Sequence, residues 1–209
     1  MTGLEDEPAV AASLFGDRIE LARRFTADLG REGELRGLIG PLELPRLWSR
    51  HVLNSALVAP LLRPGRIGDV GSGAGLPGLV LAIARPEVDF VLIEPMERRV
   101  EWLIEEADAL GLDNVEVVRA RAEEARLEAP LDQLTARAVS ALSKLIPLTV
   151  PLVRPGGELV FMKGARVDEE LTAAQKVIRK AGLREVRIEV LGEGVVPEPT
   201  RVFRATLPH

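Results

Sequence analysis

The chain has 209 residues, 46% of them hydrophobic and 28% charged, with a formal net charge of −5 at pH 7. It contains no cysteine and two histidines, His51 and His209, which excludes disulfides, thiolate nucleophiles and cysteine-zinc sites and leaves too few imidazoles for a metal cluster. The acidic balance argues against indiscriminate nucleic-acid binding, although 27 lysines and arginines still allow a basic face.

No apolar run approaches the about 18 residues of a membrane span, and the acidic start lacks the basic and apolar regions of a signal peptide. A soluble cytoplasmic monomer without a metal is therefore expected. The length suits one domain with a short extension. Met1 to Pro8 reads as an unstructured acidic tail. Val10, Leu14, Leu21 and Phe25 line one helical face, so a helix is expected from Val10 to Leu29. Gly30 to Gly40 reads as a loop. Leu44 to Leu62 reads as a second helix, with Pro45 tolerated in its first turn. Pro64-Gly65 ends this helical extension, residues 1–64.

Strand and helix patterns alternate through residues 65–209, which calls for an α/β fold with a mostly parallel sheet and helices on both faces. The first strand, at Ile67, runs into Gly71, Gly73, Gly75 and Gly78, four glycines in eight residues. Glycine permits sharp turns and close approach of a ligand. An apolar helix follows with Pro77 in its first turn, so free N–H groups and a positive dipole end are expected to face the ligand. Phe90–Ile93, Val115–Val118, Leu131–Val139 and Glu158–Met162 read as the next four strands, with Arg154-Pro-Gly-Gly157 as a turn before the last of them. Arg187–Leu191 and Arg201–Leu207 alternate in polarity and are expected to pair antiparallel at the sheet edge.

Two cofactors compete for the glycine turn. Gly73-Ala-Gly75-Leu-Pro-Gly78 formally satisfies the dinucleotide fingerprint. Gly71-Ser72-Gly73-Ala-Gly75, preceded by Asp69, instead follows the S-adenosylmethionine pattern, in which the strand-end acid holds the methionine ammonium, directly or through water. In an open α/β sheet the ligand lies beyond the carboxyl ends of the strands, which turns strand order into a site list. Glu94 ends strand two, near the about 20-residue spacing where an acid takes the ribose hydroxyls. Ala122 and Glu123 follow strand three and could receive the adenine edge. Arg137 ends strand four and would face the transferable group. Lys163 ends strand five. Arg46 and Arg50, four apart, share a face of the second helix, and His51 lies beside them. Together with Lys144, Arg166 and Arg201 these cations could form a phosphate-binding rim. Tyrosine is absent and aromatics are 3% of the chain, so a broad stacking platform for single strands is not expected.

Arg50-His-Val-Leu-Asn-Ser55, Asp69-Val-Gly-Ser-Gly-Ala-Gly-Leu-Pro-Gly78, Arg137-Ala-Val-Ser-Ala-Leu142 and Met162-Lys-Gly164 closely resemble the bacterial small-subunit ribosomal RNA guanine-N7 methyltransferases, the glucose-inhibited division protein B family. The likeness runs from about Leu44 to Arg204. It implies a Rossmann-like methyltransferase fold with a small helical N-terminal extension. It also implies S-adenosylmethionine held by residues including Gly71, Leu76, Ala122, Glu123 and Arg137, and 16S ribosomal RNA, in the small subunit or an assembly intermediate, as partner. Where the family usually carries Asn-Leu-Thr before the Arg-His helix, this chain has Leu38-Ile-Gly-Pro-Leu42, so the loop from Gly30 to Glu43 is expected to be ordered differently.

The chemistry agrees with these residues. Guanine N7 bears a free lone pair, so methylation there needs positioning and electrostatics rather than a general base. Cytosine C5 methylation needs a thiolate and is excluded. The Asp/Asn-Pro-Pro-aromatic loop of exocyclic-amine methyltransferases is missing after strand four. A small-molecule methyltransferase on the same fold and an NAD-binding Rossmann protein are the alternatives.

Overall fold

The computed structural model describes residues 3–209. Seven strands form one sheet: β1 (Arg66–Val70), β2 (Asp89–Ile93), β3 (Val115–Val118), β4 (Leu131–Arg137), β5 (Val153–Lys163), β6 (Arg184–Leu191) and β7 (Thr200–Thr206). Their order is β3-β2-β1-β4-β5-β7-β6. The first five are mutually parallel, and β7 lies antiparallel between β5 and β6. Successive residues of a strand face opposite ways. Phe90 and Leu92 of β2 therefore join one apolar cluster while Val91 and Ile93 join the other. Burial on both sides explains the unbroken apolar run in sequence.

Among the described residues seven α-helices cover the two faces. The extension contributes α1 (Ala11–Phe15), α2 (Ile19–Glu32) and the single turn α3 (Asn54–Ala56); α4 (Gly78–Ala84), α5 (Glu97–Leu110), α6 (Leu142–Thr149) and α7 (Val167–Lys180) follow. Phe25 and Leu29 of α2 share a cluster with Leu79 of α4 and Trp102 of α5. Ile146 of α6 and Ala174 of α7 pack on the opposite face with Phe161 and Phe203, whose rings stack at 5.9 Å.

Several expectations need correction. The helix expected from Val10 to Leu29 is broken at Gly16, whose φ of 52° suits glycine, and α2 then runs on to Glu32. The second helix is irregular, with a 3₁₀ turn over Leu44–Arg46, a π-helical stretch over Leu47–Leu53 and α3. The acidic start is tied down from residue 5. Glu5 donates its N–H to Leu44 O at 3.0 Å and accepts from Ser49 N at 2.9 Å, and Glu7 pairs with Arg23 at 2.6 Å. Residues 1–2 of the predicted tail lie outside the described residues. Strand four stops at Arg137, because Ala138 turns to a positive φ of 55°. The expected Arg154–Gly157 turn is instead a bulge inside β5: Val153 pairs with Leu131 and Glu158 with Gln133. No helix of the described residues is long and apolar enough to cross a membrane.

Candidate active site

β1 lies between β2 and β4, and the chain leaves it in opposite directions on the two sides. That switch point is where an open α/β sheet leaves a crevice. Gly71, Gly73 and Gly75 take φ values of 72°, 55° and 87° there, a conformation that strains other residues. A Cβ on Gly73 would meet no heavy atom closer than Gly71 O at 3.7 Å, so the space beside the turn is open.

The two acids expected to touch a cofactor are instead enclosed. Asp69 is 0% exposed; its Oδ2 accepts from Gly78 N at 3.2 Å and its Oδ1 lies 3.0 Å from Thr135 Oγ1. It is enclosed at the start of α4, where it holds Gly78 N. Burial pushes its carboxyl up to about 7. The geometry agrees with a protonated acid. Thr135 Oγ1 also lies 3.0 Å from Gly68 O, and one hydroxyl proton cannot serve both acceptors; a proton on Asp69 lets Asp69 donate to Thr135 while Thr135 donates to Gly68. Glu94, 1% exposed, accepts from Gly73 N at 2.9 Å and from Met96 N at 3.0 Å. It clasps the glycine turn to the end of β2. The turn's remaining N–H groups are largely engaged too: Gly71 and Ser72 donate to Ile93 O, and Gly75 and Leu76 donate to Ser72 O. The expectation of free N–H groups is thus also corrected.

Beside the turn opens a cavity of about 950 Å³, at the upper end of ordinary ligand sites. Its walls include Arg50 and His51, Arg137, Lys163 and Arg201, from four separate places in the sequence, together with Asn54, Glu43, Glu170 and Glu198. Val139 joins cavity and turn, because its Cγ2 lies 2.7 Å from where a Cβ on Gly71 would sit. Leu76 is buried at the start of α4, and Ala122 and Glu123 lie on a turn after β3, outside the cavity.

The cations differ in how free they are. Lys163 donates to Ser140 O at 2.8 Å and pairs with Glu170 at 2.7 Å, with its side chain 8% exposed. It braces the loop after β4 and is a poor phosphate contact, contrary to expectation. Arg50 reaches Glu198 at 2.5 Å. Arg46 holds Glu43 through two bonds, at 3.0 and 2.7 Å. Arg201 makes no ion pair among the described residues. His51 is 9% exposed and is spoken for on both sides: Arg137 bonds Nδ1, and Nε2 lies 2.5 Å from Glu43 Oε2. Neither ring nitrogen is left without a protein partner. Burial and the Arg137 charge hold its pKa below the usual histidine value, and burial brings Arg137 down to about 10.

Glu43, Glu170 and Glu198 were not singled out from the sequence, and Asn54 and Ser140 stood only as members of the Arg50–Ser55 and Arg137–Leu142 stretches. Each is an ordinary polar residue in a loop or helix, and only long-range folding brings it to the crevice. Asn54 Oδ1 and Ser140 Oγ are buried without a partner. Side-chain-free space at Gly73 and two unmet polar atoms on the cavity wall suit a cofactor carrying an amino-acid end and a nucleoside end. No cluster of metal-ligating side chains occurs among the described residues.

Fold and site together define an S-adenosylmethionine-dependent methyltransferase. Solved structures with the same fold include a SAM-dependent methyltransferase from Aquifex aeolicus (TM-score 0.58, 19% identity, covering 84% of this chain and 97% of the other). They also include the N-methyltransferase NodS from Bradyrhizobium japonicum WM9 in complex with S-adenosyl-L-homocysteine (TM-score 0.57, 16% identity, 85% and 98%). The family model described as GidB, rRNA small subunit methyltransferase G, matches residues 18–198. Proteins named ribosomal RNA small subunit methyltransferase G are 69% identical in Leifsonia xyli subsp. xyli, over 98% of each chain, and 69% identical in Clavibacter michiganensis subsp. michiganensis, over 97% of this chain and 96% of the other. The chain belongs to this rRNA small subunit methyltransferase G family.

Proposed function

We propose that this protein transfers the methyl group of S-adenosylmethionine to N7 of a guanine in the 16S RNA of the small ribosomal subunit. The names of its relatives support the RNA substrate. The guanine N7 assignment is supported chiefly by one observation: the only imidazole at the cavity has both ring nitrogens committed, to Arg137 and to Glu43. A site whose histidine is not free to take a proton suits an acceptor that has none to lose. When bound, the cofactor supplies a methyl carbon made electrophilic by its sulfonium.

The chain's own work is then placement. The turn from Gly71 through Ser72, Gly73 and Gly75, with Leu76, Ala122 and Glu123 beside it, receives the cofactor. Asp69 and Glu94 hold that turn in shape from behind. Arg137 faces the reacting atoms and can donate to guanine O6 or to the cofactor's carboxylate. Arg50 and Arg201 take RNA phosphates. Residues 1–64 serve as a helical extension to a methyltransferase domain over residues 65–209, and the apolar cluster the two share supports their folding as one compact unit. The protein works as a monomer in the cytoplasm.

The test is transfer of labelled methyl from S-adenosylmethionine to small subunits, to deproteinised 16S RNA and to an RNA-free extract of small molecules. Label in 16S RNA is the expected result. Label confined to small molecules would point to the alternative substrate class.

A further inference from the structure

We propose that Glu43 and His51 form a positioning pair that fixes the Arg137 guanidinium at the mouth of β4. This inference deepens the reading above and depends on Arg137 facing the reacting atoms. Four side chains from three places in the chain make one line. Arg46 grips Glu43 at 3.0 and 2.7 Å, Glu43 Oε2 meets His51 Nε2 at 2.5 Å, and His51 Nδ1 meets Arg137. The bond to His51 is the only side-chain hydrogen bond Arg137 makes among the described residues.

Hydrogen-bond chemistry fixes the direction of each link. A guanidinium only donates and a carboxylate only accepts. His51 must therefore accept at Nδ1 and donate from Nε2, which makes it a neutral imidazole in a single tautomer. The backbone is set as well, because Ser55 Oγ donates to His51 O at 2.7 Å. His51 sits in the π-helical stretch Leu47–Leu53, a distortion frequent at functional sites. A guanidinium fixed in this way can meet a planar base edge or carboxylate without reorganising, where a small misplacement would slow the reaction steeply.

Protonation breaks the line, because an N–H at Nδ1 would point at a guanidinium. The charged groups facing this imidazole are Glu43 and, through it, Arg46 from the preceding loop and turn, Arg50 on its own helix, and Arg137 from β4; Asp69 and Glu198 lie behind Arg137 and Arg50. Transfer should therefore fall on acidification below the usual histidine value of 6.5.

The experiment compares the full-length wild type with His51→Ala, His51→Asn and Glu43→Gln in steady-state methyl transfer to small subunits, from about pH 5.5 to about 8.5. Melting curves and calorimetric titration with S-adenosylmethionine accompany the kinetics. His51→Ala should lower kcat about 100-fold, with KM for the subunit changed by less than about threefold. His51→Asn keeps an acceptor near the Nδ1 position and cannot titrate, so it should recover much of kcat and lack the acid limb. Glu43→Gln should shift that limb. The pair is overturned if folded His51→Ala retains wild-type kcat, if His51→Asn and His51→Ala lose equally, or if the acid limb persists in His51→Asn. Should His51→Ala not fold, the pH profile of His51→Asn decides alone. A wild type that methylates no RNA defeats the functional reading itself, whereas an active wild type with indifferent variants defeats only the pair.

Discussion

The backbone N–H of Gly73 donates to Oε2 of Glu94 at 2.9 Å, so the glycine turn is clasped to the end of β2 by an acid that never reaches solvent. Glu94→Ala would leave the N–H groups of Gly73 and Met96 without that acceptor. A stability loss of about 1–3 kcal/mol is expected, with weaker cofactor binding because the turn is released. Denaturant melts and calorimetry on one preparation check both effects.

Gly73 itself faces open space. Gly73→Val would put a branched side chain into the crevice and hold a β-branched residue at a φ of 55°. Binding of S-adenosylmethionine should become undetectable by calorimetry while the melting transition stays cooperative. Retained binding would move the cofactor away from the turn.

Burial pushes the Asp69 carboxyl up to about 7. Asp69→Asn can donate to Thr135 from its amide and accept from Gly78, so stability should change by less than about 1 kcal/mol and cofactor affinity should hold. Asp69→Ala orphans Gly78 N in a buried place and should cost about 1–3 kcal/mol. A large affinity loss in Asp69→Asn with intact stability would restore the direct ammonium contact.

Much of this was legible in sequence. Runs such as Phe90–Ile93 announce strands covered on both faces, and four glycines after β1 announce a ligand turn. Side-chain direction was not legible. An acid at the end of β1 or β2 looks the same in sequence whether it faces a ligand, as was expected for Asp69 and Glu94, or a neighbouring backbone N–H. Lys163 looked like a rim cation because its partner Glu170 lies in the following helix, and Glu43 went unremarked because nothing local ties it to Arg137. The bulge in β5 was hidden by Pro155-Gly-Gly157, which carries the composition of a turn.

Salt should discriminate among the cations. Each phosphate contact adds about 0.7–0.9 to the slope of log affinity against log salt. Arg201→Ala should reduce the slope by about one such contact, whereas Lys163→Ala should leave it unchanged because Lys163 already serves Ser140 and Glu170. Filter binding to small subunits across a salt series checks this.

Stability should also follow the state of His51. Its folded pKa lies below the usual value of 6.5, so the unfolded chain takes up the proton first as pH falls. The contribution is fully present above 6.5 and is lost as pH drops below 6.5 toward the folded value. Glu43, held below 4.5 by Arg46 and His51, loses its contribution only in a more acidic window. Melting temperatures of wild type and His51→Asn should therefore diverge with pH just below 6.5, and parallel curves would show that His51 is not held neutral.

The most direct measurement is the site of modification. Small subunits methylated by the wild type, then reduced with borohydride and cleaved with aniline, should show one new scission at a guanine of 16S RNA, as N7-methylguanine requires. Arg137→Ala, folded but stripped of its guanidinium, should lower that scission by about 100-fold or more. Methylated RNA that resists cleavage, or a fully active Arg137→Ala, would contradict the account.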